Sequence, residues 1–472
     1  MGSFQGFLDF KRKGFSYKSI EERLKSFDEF LIIQDDTEIK KQAGRCMDCD
    51  TPYCYALGCP SLNLIPEWND YIFRKDFKSA YERLTLTSSF PEITGRVCPG
   101  LCEAACSLSI NLAPVTIKQI ELYIIEKAFM EGLVQPILPI SEKRQRIAII
   151  GSGPAGLAAA QELRRMGYQI TVYEKSDALG GLMRYGIPEF KLPKWVIDRR
   201  IELMEQEGVE FKTNVDVGVD ISMNRIKDNF DCVLLCMGSG TPRELSIEGS
   251  SLEGIYYALE YLTKSTKCLT NKVKDHEIIN VKDKSVLVIG GGDTGSDCIG
   301  TANRQGAKKI TQIEIMPEPR VWNESYNPTW PNYPSILRTS SSHEEGCIRD
   351  FNVSTKSFIS KDGCVAGAKC VRVKWVKNEN NSFVMKEIDG SDFVIDADYV
   401  FLSMGFTHVE HSKMLEDLGI KYDARGNIEV NTKFETNIKG VFAAGDAFSG
   451  ASLVVRAMKS GRLAANAINE FL

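Results

Sequence analysis

The chain has 472 residues, of which 26% are charged and 43% hydrophobic, with a formal net charge of −5. This length is enough for roughly two to four domains, and the charge gives no reason to expect nucleic acid or an anionic membrane as a partner. No run of about 18 apolar residues occurs and no secretory apolar segment follows Met1, so we expect a cytoplasmic protein that does not enter a membrane.

The fourteen cysteines are distributed unevenly along the chain. Seven fall in the first quarter, in two groups: Cys46, Cys49, Cys54 and Cys59, then Cys98, Cys102 and Cys106. In a reducing compartment such groups are thiols or metal ligands rather than disulfides. With only four histidines, any metal would be bound mainly by thiolate. The spacing of the first three cysteines favours a [4Fe–4S] cluster, with zinc as the alternative.

The first 143 residues are predicted to form a helical domain that contains both cysteine groups. Residues 71–77 and 117–130 have the apolar periodicity of helices. Pro136 and Pro139 then indicate a connector to the rest of the chain.

Two βαβ units follow, over residues 146–174 and 284–315, each with a glycine-rich turn between its first strand and its helix. We therefore expect an α/β protein with two Rossmann-like nucleotide-binding domains behind the helical domain. The expected boundaries are 144–280 together with 407–472 for the first of these domains, and 281–406 for the second.

Two parts of the second domain have patterns of their own. Strand-like alternation in three segments predicts a β-meander: 371–376, 383–387 and 393–402. Residues 317–350, rich in Pro, Trp, Tyr and Ser, predict a long irregular insertion. Its Trp322, Trp330 and Tyr333 could contact a partner or belong to a packed surface loop.

The first glycine-rich turn is Gly151-x-Gly153-x-x-Gly156, and the next strand ends in Glu174. Gly151 permits a tight turn, Gly153 lets the backbone approach a pyrophosphate, and Gly156 lets helix and strand pack closely. The helix amino terminus offers N–H donors to phosphates, and Glu174 can accept hydrogen bonds from ribose hydroxyls. The pattern predicts a dinucleotide site.

A further pattern, residues 440–446, is similar to the second FAD signature of flavoproteins that have two dinucleotide-binding domains. In that signature the aspartate binds the ribityl–phosphate region, so Gly445 and Asp446 are candidate FAD contacts. A helix predicted to begin near Ser452 would direct its amino-terminal dipole at a reduced flavin.

The second glycine-rich turn resembles the pyridine-nucleotide motif of the same flavoproteins. Its residues are Gly290, Gly291, Gly292, Asp293, Thr294 and Gly295. Glu314, near the end of the next strand, can accept a hydrogen bond from a ribose 2′-hydroxyl and would repel a 2′-phosphate, which favours NADH. Lys309 and Arg320 are close enough in sequence to bind that phosphate instead, so the choice between NADH and NADPH stays open.

Together these motifs resemble the small (β) subunit of glutamate synthase over nearly the whole chain. The matching parts are the two cysteine groups and residues 6–12, 115–121, 151–174, 180–188, 290–298 and 445–446. The architecture is also similar to the amino-terminal part of dihydropyrimidine dehydrogenase. The resemblance implies FAD, two [4Fe–4S] clusters and NADPH or NADH as cofactors, with Gly181 and Leu182 among the FAD contacts.

Carried over residue by residue, the resemblance also implies two sets of cluster ligands. The first ligand set is Cys46, Cys49, Cys54 and Cys106. The second ligand set is Cys59, Cys98 and Cys102, with a non-cysteine ligand at Glu121.

The implied function is an NAD(P)H-dependent oxidoreductase, the electron-input subunit of glutamate synthase, which passes hydride to FAD and then single electrons through the clusters. Glutamine hydrolysis would belong to a large partner subunit. One alternative is a free-standing NAD(P)H oxidoreductase that reduces ferredoxin, disulfides, metal ions or other acceptors. Another is a zinc-stabilised interaction module on a degenerate Rossmann scaffold. Cys232 and Cys236 lie on an apolar strand and are interpreted as core residues.

Overall fold

A computed structural model of the chain describes residues 2–270, 278–321 and 327–472. Within these ranges, no helix is both long enough and apolar enough to cross a membrane. The described chain forms a helical amino-terminal domain and two α/β domains, so the predicted fold class is confirmed.

The amino-terminal domain surrounds one buried helix. Its elements are α1 (Gly6–Asp9), β1 (Ser16–Tyr17), α2 (Ile20–Arg23), β2 (Leu31–Ile32), α3 (Asp36–Gly44), a π-helical turn (Cys54–Gly58), α4 (Ile65–Arg74), α5 (Phe77–Thr85), α6 (Pro91–Val97), α7 (Leu101–Ala104), a 3₁₀ turn (Ser107–Ile110) and α8 (Ile117–Met130). Helix α8 has the predicted bounds, and Ile120, Ile124 and Ile125 are fully buried. The predicted helix over 71–77 is interrupted, because Lys75 is left-handed and ends α4.

The remaining elements alternate between strands and helices over most of their length. They are β3 (Arg146–Ile150), α9 (Pro154–Arg165), β4 (Gln169–Tyr173), α10 (Leu182–Tyr185), α11 (Lys194–Gln206), β5 (Glu210–Lys212), α12 (Met223–Asn229), β6 (Cys232–Leu235), β7 (Thr241–Pro242), β8 (Ile255–Tyr257), α13 (Ala258–Leu269), β9 (Ser285–Ile289), α14 (Asp293–Gln305), β10 (Lys309–Glu314), α15 (Ser341–Glu344), β11 (Ile348–Phe351), β12 (Val353–Lys361), β13 (Cys364–Lys377), β14 (Phe383–Asp396), β15 (Tyr399–Leu402), β16 (Phe406–His408), α16 (Lys413–Leu418), β17 (Val441–Ala443), α17 (Asp446–Ser449) and α18 (Val454–Phe471).

The two α/β domains each contain a five-stranded parallel sheet, and the strand orders correspond. The first sheet has the order β17-β6-β3-β4-β5, and the second has β11-β10-β9-β15-β8. Each βαβ unit places its first strand at the centre, paired in parallel with the strand after its helix. Central strands covered on both faces need continuous apolar runs, and β3 and β9 supply them. Cys232 and Cys236 are buried in the core, as interpreted from the sequence.

The strand pairing differs from the boundary predicted between residues 280 and 281. Strand β8 pairs with β15 and α13 packs against α14, so residues 255–269 belong with the second sheet. The three-residue strand β8 is too short to reveal its partner by periodicity. The antiparallel pair β7–β16 marks where the chain passes from one α/β domain to the other and returns.

A three-stranded antiparallel sheet of β12, β13 and β14 flanks the second parallel sheet. The β-meander prediction was wrong for its third segment, because Tyr399–Leu402 leaves as β15 and joins the parallel sheet between β9 and β8. Strand β12 takes its place beside β13. Val400 and Phe401 are fully buried, as suits a central parallel strand rather than one with a solvated face.

The insertion at 317–350 is only partly irregular. It contains α15 and most of β11, which extends the second sheet as an edge strand. Trp330 and Tyr333 donate hydrogen bonds to backbone carbonyls of the amino-terminal domain, so they contact this same chain. Trp322 lies outside the described residues.

Candidate nucleotide and iron–sulfur sites

The first glycine turn lies at the carboxyl end of β3, where α9 begins. Gly151 has a φ of 102°, and a Cβ there would collide with the carbonyl oxygen of Cys236, so the position requires glycine. A Cβ at Gly156 would likewise collide with the carbonyl oxygen of Gly151. Around Gly153, in contrast, a Cβ would meet nothing within 4 Å, and in the described chain no side chain caps α9. The turn therefore offers open N–H groups of the kind that bind a pyrophosphate.

Glu174 is fixed beside this turn by hydrogen bonds. Its Oε2 accepts from the Ser152 N–H at 3.0 Å and from Ser152 Oγ at 2.6 Å, while its Oε1 accepts from the Ser176 N–H. The side chain is only 6% exposed. This is the strand end at which the ribose of a dinucleotide rests in Rossmann domains, so the carboxylate is in a suitable place to accept from ribose hydroxyls.

The other predicted FAD contacts come from distant parts of the chain. A Cβ at Gly181 would lie 3.0 Å from the Cα of Gly153, so the loop before Leu182 runs along the first turn. A Cβ at Gly445 would lie 2.7 Å from that of Ala155, in the first turn of α9.

Asp446 follows in the same region. Its Oδ1 accepts from Ser452 Oγ at 2.7 Å, and burial raises the pKa of its carboxyl. Helix α18 begins at Val454, two residues beyond the expected start near Ser452. The structure thus brings residues 151–156, 181 and 445–446 together at one edge of the first sheet.

The second glycine turn repeats this construction at the carboxyl end of β9. A Cβ at Gly290 would collide with the carbonyl oxygen of Ser403, whereas one at Gly292 would meet nothing within 4 Å. Asp293 and Thr294 are the first two residues of α14, which no side chain caps in the described part of the chain. Glu314 Oε2 accepts from the Gly291 N–H at 2.5 Å. The second domain therefore contains another turn of the kind that binds phosphates, with its own acidic residue at the strand end.

The two basic residues considered as phosphate partners near Glu314 lie in different places. Lys309 is the first residue of β10 and Glu314 the last, so they are about 17 Å apart along the strand and at opposite sheet edges. Lys309 therefore cannot reach a phosphate at this turn. Arg320 is exposed, in the segment that follows the strand, where it forms a β-bridge with Ile336.

The first ligand set lines one cavity in the amino-terminal domain. Cys46, Cys49, Cys54 and Cys106 all border it, together with Asn69 and Tyr53. Burial raises the pKa of Cys46 to about 12 and also raises the pKa values of Cys54 and Cys106. In the described residues, no three Cys, His, Asp or Glu side chains lie close enough to hold a single metal ion. Four converging cysteines around a cavity are the donor set that a [4Fe–4S] cluster takes.

The second ligand set lies around Glu121 of α8. Burial is the main cause that raises the pKa of Cys59, to about 12, and the nearby Glu121 carboxylate adds to it. The same carboxylate acts on the Cys98 and Cys102 thiols. Glu121 is 5% exposed, its Oε1 accepts from Thr94 Oγ1 at 2.6 Å, and burial raises its own pKa to about 7. Three thiols and one carboxyl group can together serve as four ligands.

Sequence reasoning missed an ion pair that joins the two α/β domains. Lys191 Nζ lies 2.5 Å from Asp297 Oδ1 and also donates to Ser296 Oγ at 3.2 Å. Lys191 follows the loop of Gly181, and Asp297 is on the first turns of α14. Asp297 lies two residues beyond the second glycine turn and is buried, but nothing in the sequence indicates that Lys191 is its partner.

Two family models match the chain. The model described as pyridine nucleotide-disulphide oxidoreductase matches residues 145–461, and the one described as dihydropyrimidine dehydrogenase domain II, 4Fe-4S cluster, matches residues 23–133. With the geometry above, these matches define a flavoprotein oxidoreductase with an amino-terminal iron–sulfur domain. Its cofactors are FAD, NAD(P)H and [4Fe–4S] clusters.

Curated relatives specify the family. The chain is 47% identical to the glutamate synthase [NADPH] small chain of Mycobacterium tuberculosis, over 99% of this chain and 95% of that one. It is 40% identical to the glutamate synthase [NADPH] small chain of Bacillus subtilis, over 100% of this chain and 99% of that one. It is 43% identical to the glutamate synthase [NADH] of Schizosaccharomyces pombe, over 99% of this chain and 23% of that protein. The chain therefore belongs to the glutamate synthase small-chain family, and the predicted resemblance is confirmed.

A solved structure shows the same fold at low identity. FprA from Mycobacterium tuberculosis matches with a TM-score of 0.54 and 16% identity, over 70% of this chain and 85% of that one. At this identity, the similarity concerns the arrangement of the α/β domains alone.

Proposed function

We propose that this chain is the electron-input subunit of a glutamate synthase, which takes electrons from NAD(P)H and delivers them to a large partner subunit. The observation that carries the proposal is the presence, in one chain, of two anion-binding glycine turns and two buried groups of potential cluster ligands. An enzyme that only reduces a flavin needs no such thiols, and an iron–sulfur protein that receives single electrons needs no second nucleotide turn.

Each of the three domains would hold a different cofactor. The turn of Gly151 and Gly153, with Glu174 and Asp446, would hold FAD, and the turn of Gly290–Thr294 with Glu314 would hold NAD(P)H. The two ligand sets would hold the clusters. When bound, FAD accepts a hydride as an electron pair, and [4Fe–4S] clusters carry electrons one at a time.

The protein's own contribution is position and electrostatics. Helices α9 and α14 direct their positive amino-terminal ends at the two phosphate sites. The Lys191–Asp297 ion pair connects the loop that borders the first turn to the helix that begins at the second. This contact supports a fixed relative orientation of the two turns, which hydride transfer requires.

A large partner is supported by the relatives. The glutamate synthase [NADH] of Schizosaccharomyces pombe contains a region similar to this chain as only 23% of its length. In that relative, a unit similar to this chain is joined to much additional protein. The M. tuberculosis and B. subtilis relatives are named small chains, a name that implies a separate large chain.

The test is anaerobic titration of the purified chain with NADH and NADPH, followed optically and by paramagnetic resonance. We expect flavin bleaching and then signals of reduced clusters. NAD(P)H oxidation that requires glutamine, a 2-oxo acid to accept the amino group and the electrons, and a co-purified large subunit would establish the partner. Full reduction without any such partner in the source organism would instead support the free-standing reductase, and a colourless protein that contains zinc would overturn both.

A further inference from the structure

A short segment of the second α/β domain lies on the amino-terminal domain next to the first ligand set. We name residues 327–333 the covering segment. The Asn327 N–H donates to the carbonyl oxygen of Ser109 at 2.8 Å, and Asn327 Nδ2 donates to that of Ala104 at 3.1 Å. At the other end, Tyr333 Oη donates to the carbonyl oxygen of Pro99 at 3.4 Å. The covering segment is therefore fixed at both ends to the backbone that carries Cys98 to Cys106.

Trp330 is the central residue of the covering segment. Its indole Nε1–H is shared between the carbonyl oxygens of Ala105 and Cys106, each at 3.2 Å. Its ring lies against Tyr53, with 4.8 Å between the centroids and 58° between the planes. Tyr53 in turn borders the cavity of the first ligand set, and Cys106 belongs to that set. One side chain thus contacts both the wall of the cavity and the backbone of one of its thiols.

We propose that Trp330 is a positioning residue for electron transfer, which shields the first ligand set from water and holds the Cys106 backbone. Through this residue, the second α/β domain influences the redox potential of the cluster that the first ligand set holds. The inference rests on the proposed function, because it needs a cluster at this site. Cluster potentials depend on solvent access and on the dipoles fixed around the cluster. The Trp330 ring is a barrier to solvent, and its N–H, held by the carbonyl oxygens of Ala105 and Cys106, is a dipole fixed beside a ligand.

The two contributions of Trp330 act on the potential in opposite directions. A reduced cluster carries one more negative charge than an oxidised one, so access of water stabilises the reduced form and raises the potential. The indole N–H presents the positive end of a dipole near Cys106, so its loss lowers the potential. Trp330→Ala removes both the barrier and the N–H. Because the admitted water molecules bring several donors in place of the single N–H, we expect their effect on the potential to dominate in this variant. Trp330→Phe keeps an aromatic ring and removes only the N–H.

The experiment compares three variants of the full-length, cluster-loaded chain with the unmodified protein. They are Trp330→Ala, Trp330→Phe and, as a matched control, Trp375→Phe. Trp375 also lies in the second domain and its Nε1–H also donates to a backbone carbonyl, that of Ile315 at 2.9 Å, but this contact is remote from the ligand sets. Anaerobic redox titration followed by paramagnetic resonance gives the potential of each cluster. Release of sulfide in air gives its protection from solvent.

We expect Trp330→Ala to raise the potential of one cluster and to release sulfide several-fold faster. Trp330→Phe should lower the potential of the same cluster and release sulfide at nearly the original rate, and Trp375→Phe should change neither. If both Trp330 variants match Trp375→Phe, the inference is wrong although the cluster assignment stands. If the unmodified protein, prepared without oxygen, contains no acid-labile sulfide, the proposed function fails and the inference fails with it.

Discussion

The carboxylate of Glu314 accepts a hydrogen bond from the backbone N–H of Gly291 at 2.5 Å, within the second glycine turn. Glu174 makes the corresponding contact in the first domain, where it accepts from the N–H of Ser152 at 3.0 Å. In each domain, the acidic residue at the end of the second strand thus borders the turn that follows the first strand. If the second turn holds NAD(P)H as proposed, the Glu314 carboxylate would lie beside the adenosine ribose, where a 2′-phosphate would have to fit.

Replacing Glu314 tests whether this carboxylate discriminates between the coenzymes. We expect Glu314→Ala to increase the ratio of kcat/KM for NADPH to that for NADH about tenfold, because removal of one like-charge contact is worth on the order of 1.4 kcal/mol. Steady-state reduction of an artificial acceptor measures both values.

Glu318→Ala is the matched control for this change, because Glu318 is an exposed carboxylate only four residues further along. It should leave the coenzyme ratio within twofold of the original, about the scatter of such measurements. An unchanged ratio in Glu314→Ala would show that the carboxylate does not face the 2′ position.

Gly153 and Gly292 allow the two nucleotide sites to be tested separately. Each has an extended backbone that any residue adopts, and a Cβ at either would meet no atom of the described protein within 4 Å. The added methyl group would instead occupy space that a bound pyrophosphate needs. We therefore expect Gly153→Ala to lower FAD content, and Gly292→Ala to retain FAD and raise the KM for NAD(P)H about tenfold.

Each variant is the control for the other, since the backbone conformation and the chemical change are the same. Both proteins should fold, because alanine suits these angles and reduces the freedom of the unfolded chain. Flavin absorbance after gel filtration and the KM for NADH and NADPH give the result. Full FAD content in Gly153→Ala together with an unchanged KM in Gly292→Ala would contradict both site assignments.

The two ligand sets predict separable loss of clusters. Cys106→Ala should remove the first cluster and Cys102→Ala the second, so each should lower the iron and acid-labile sulfide content to about half. Cys370→Ala is the control, because Cys370 is also fully buried but lies on β13. The iron content and the paramagnetic resonance spectrum of the reduced proteins give the answer. Variants that retain all their iron would show that these thiols are not ligands.

Glu121 is the least common ligand in this assignment, and its charge can be removed without loss of its shape. Glu121→Gln keeps an oxygen that can accept the Thr94 hydroxyl bond seen at 2.6 Å. A ligand with one less negative charge should raise the potential of the second cluster and leave the first unchanged. Equal potentials in the variant and the original protein would limit Glu121 to a structural role.

Sequence reasoning succeeded where local signals decide the structure and was wrong where distant contacts do. The strands β3 and β9 and the turns after them were predicted because buried parallel strands are apolar throughout and phosphate turns need glycine. Strand β8 was assigned to the wrong domain, since its partner β15 begins more than 140 residues later. The contact of Trp330 with Cys106 joins residues 224 positions apart, and no periodicity marks it. The two ligand sets came from family resemblance, because spacing alone left zinc open.

His343 predicts a dependence of stability on acid. Its Nδ1 accepts from the Ser340 N–H at 3.1 Å, so Nε2 carries the proton and donates to Gln312 Oε1 at 3.0 Å. Gln312 Nε2 then donates to the carbonyl oxygen of Gly290 in the second glycine turn. Burial, followed by the cations Arg349 and Lys191, lowers the pKa of His343 from 6.5 to about 4. The folded protein therefore binds fewer protons than the unfolded chain between these values.

Because this pKa is lowered by folding, the stabilisation is present above pH 6.5 and is lost as the pH falls toward 4. We expect the loss at a pH of about 5 to be on the order of 1 kcal/mol, after allowance for partial screening by solvent. His343→Asn keeps an acceptor for the Ser340 N–H but does not titrate. Its midpoint temperature of thermal unfolding should therefore fall less than that of the original protein between pH 7 and a pH of about 5. His411→Asn removes an exposed histidine and serves as the control. If the thermal stability of His343→Asn and that of the original protein fall equally with pH, His343 does not cause the effect.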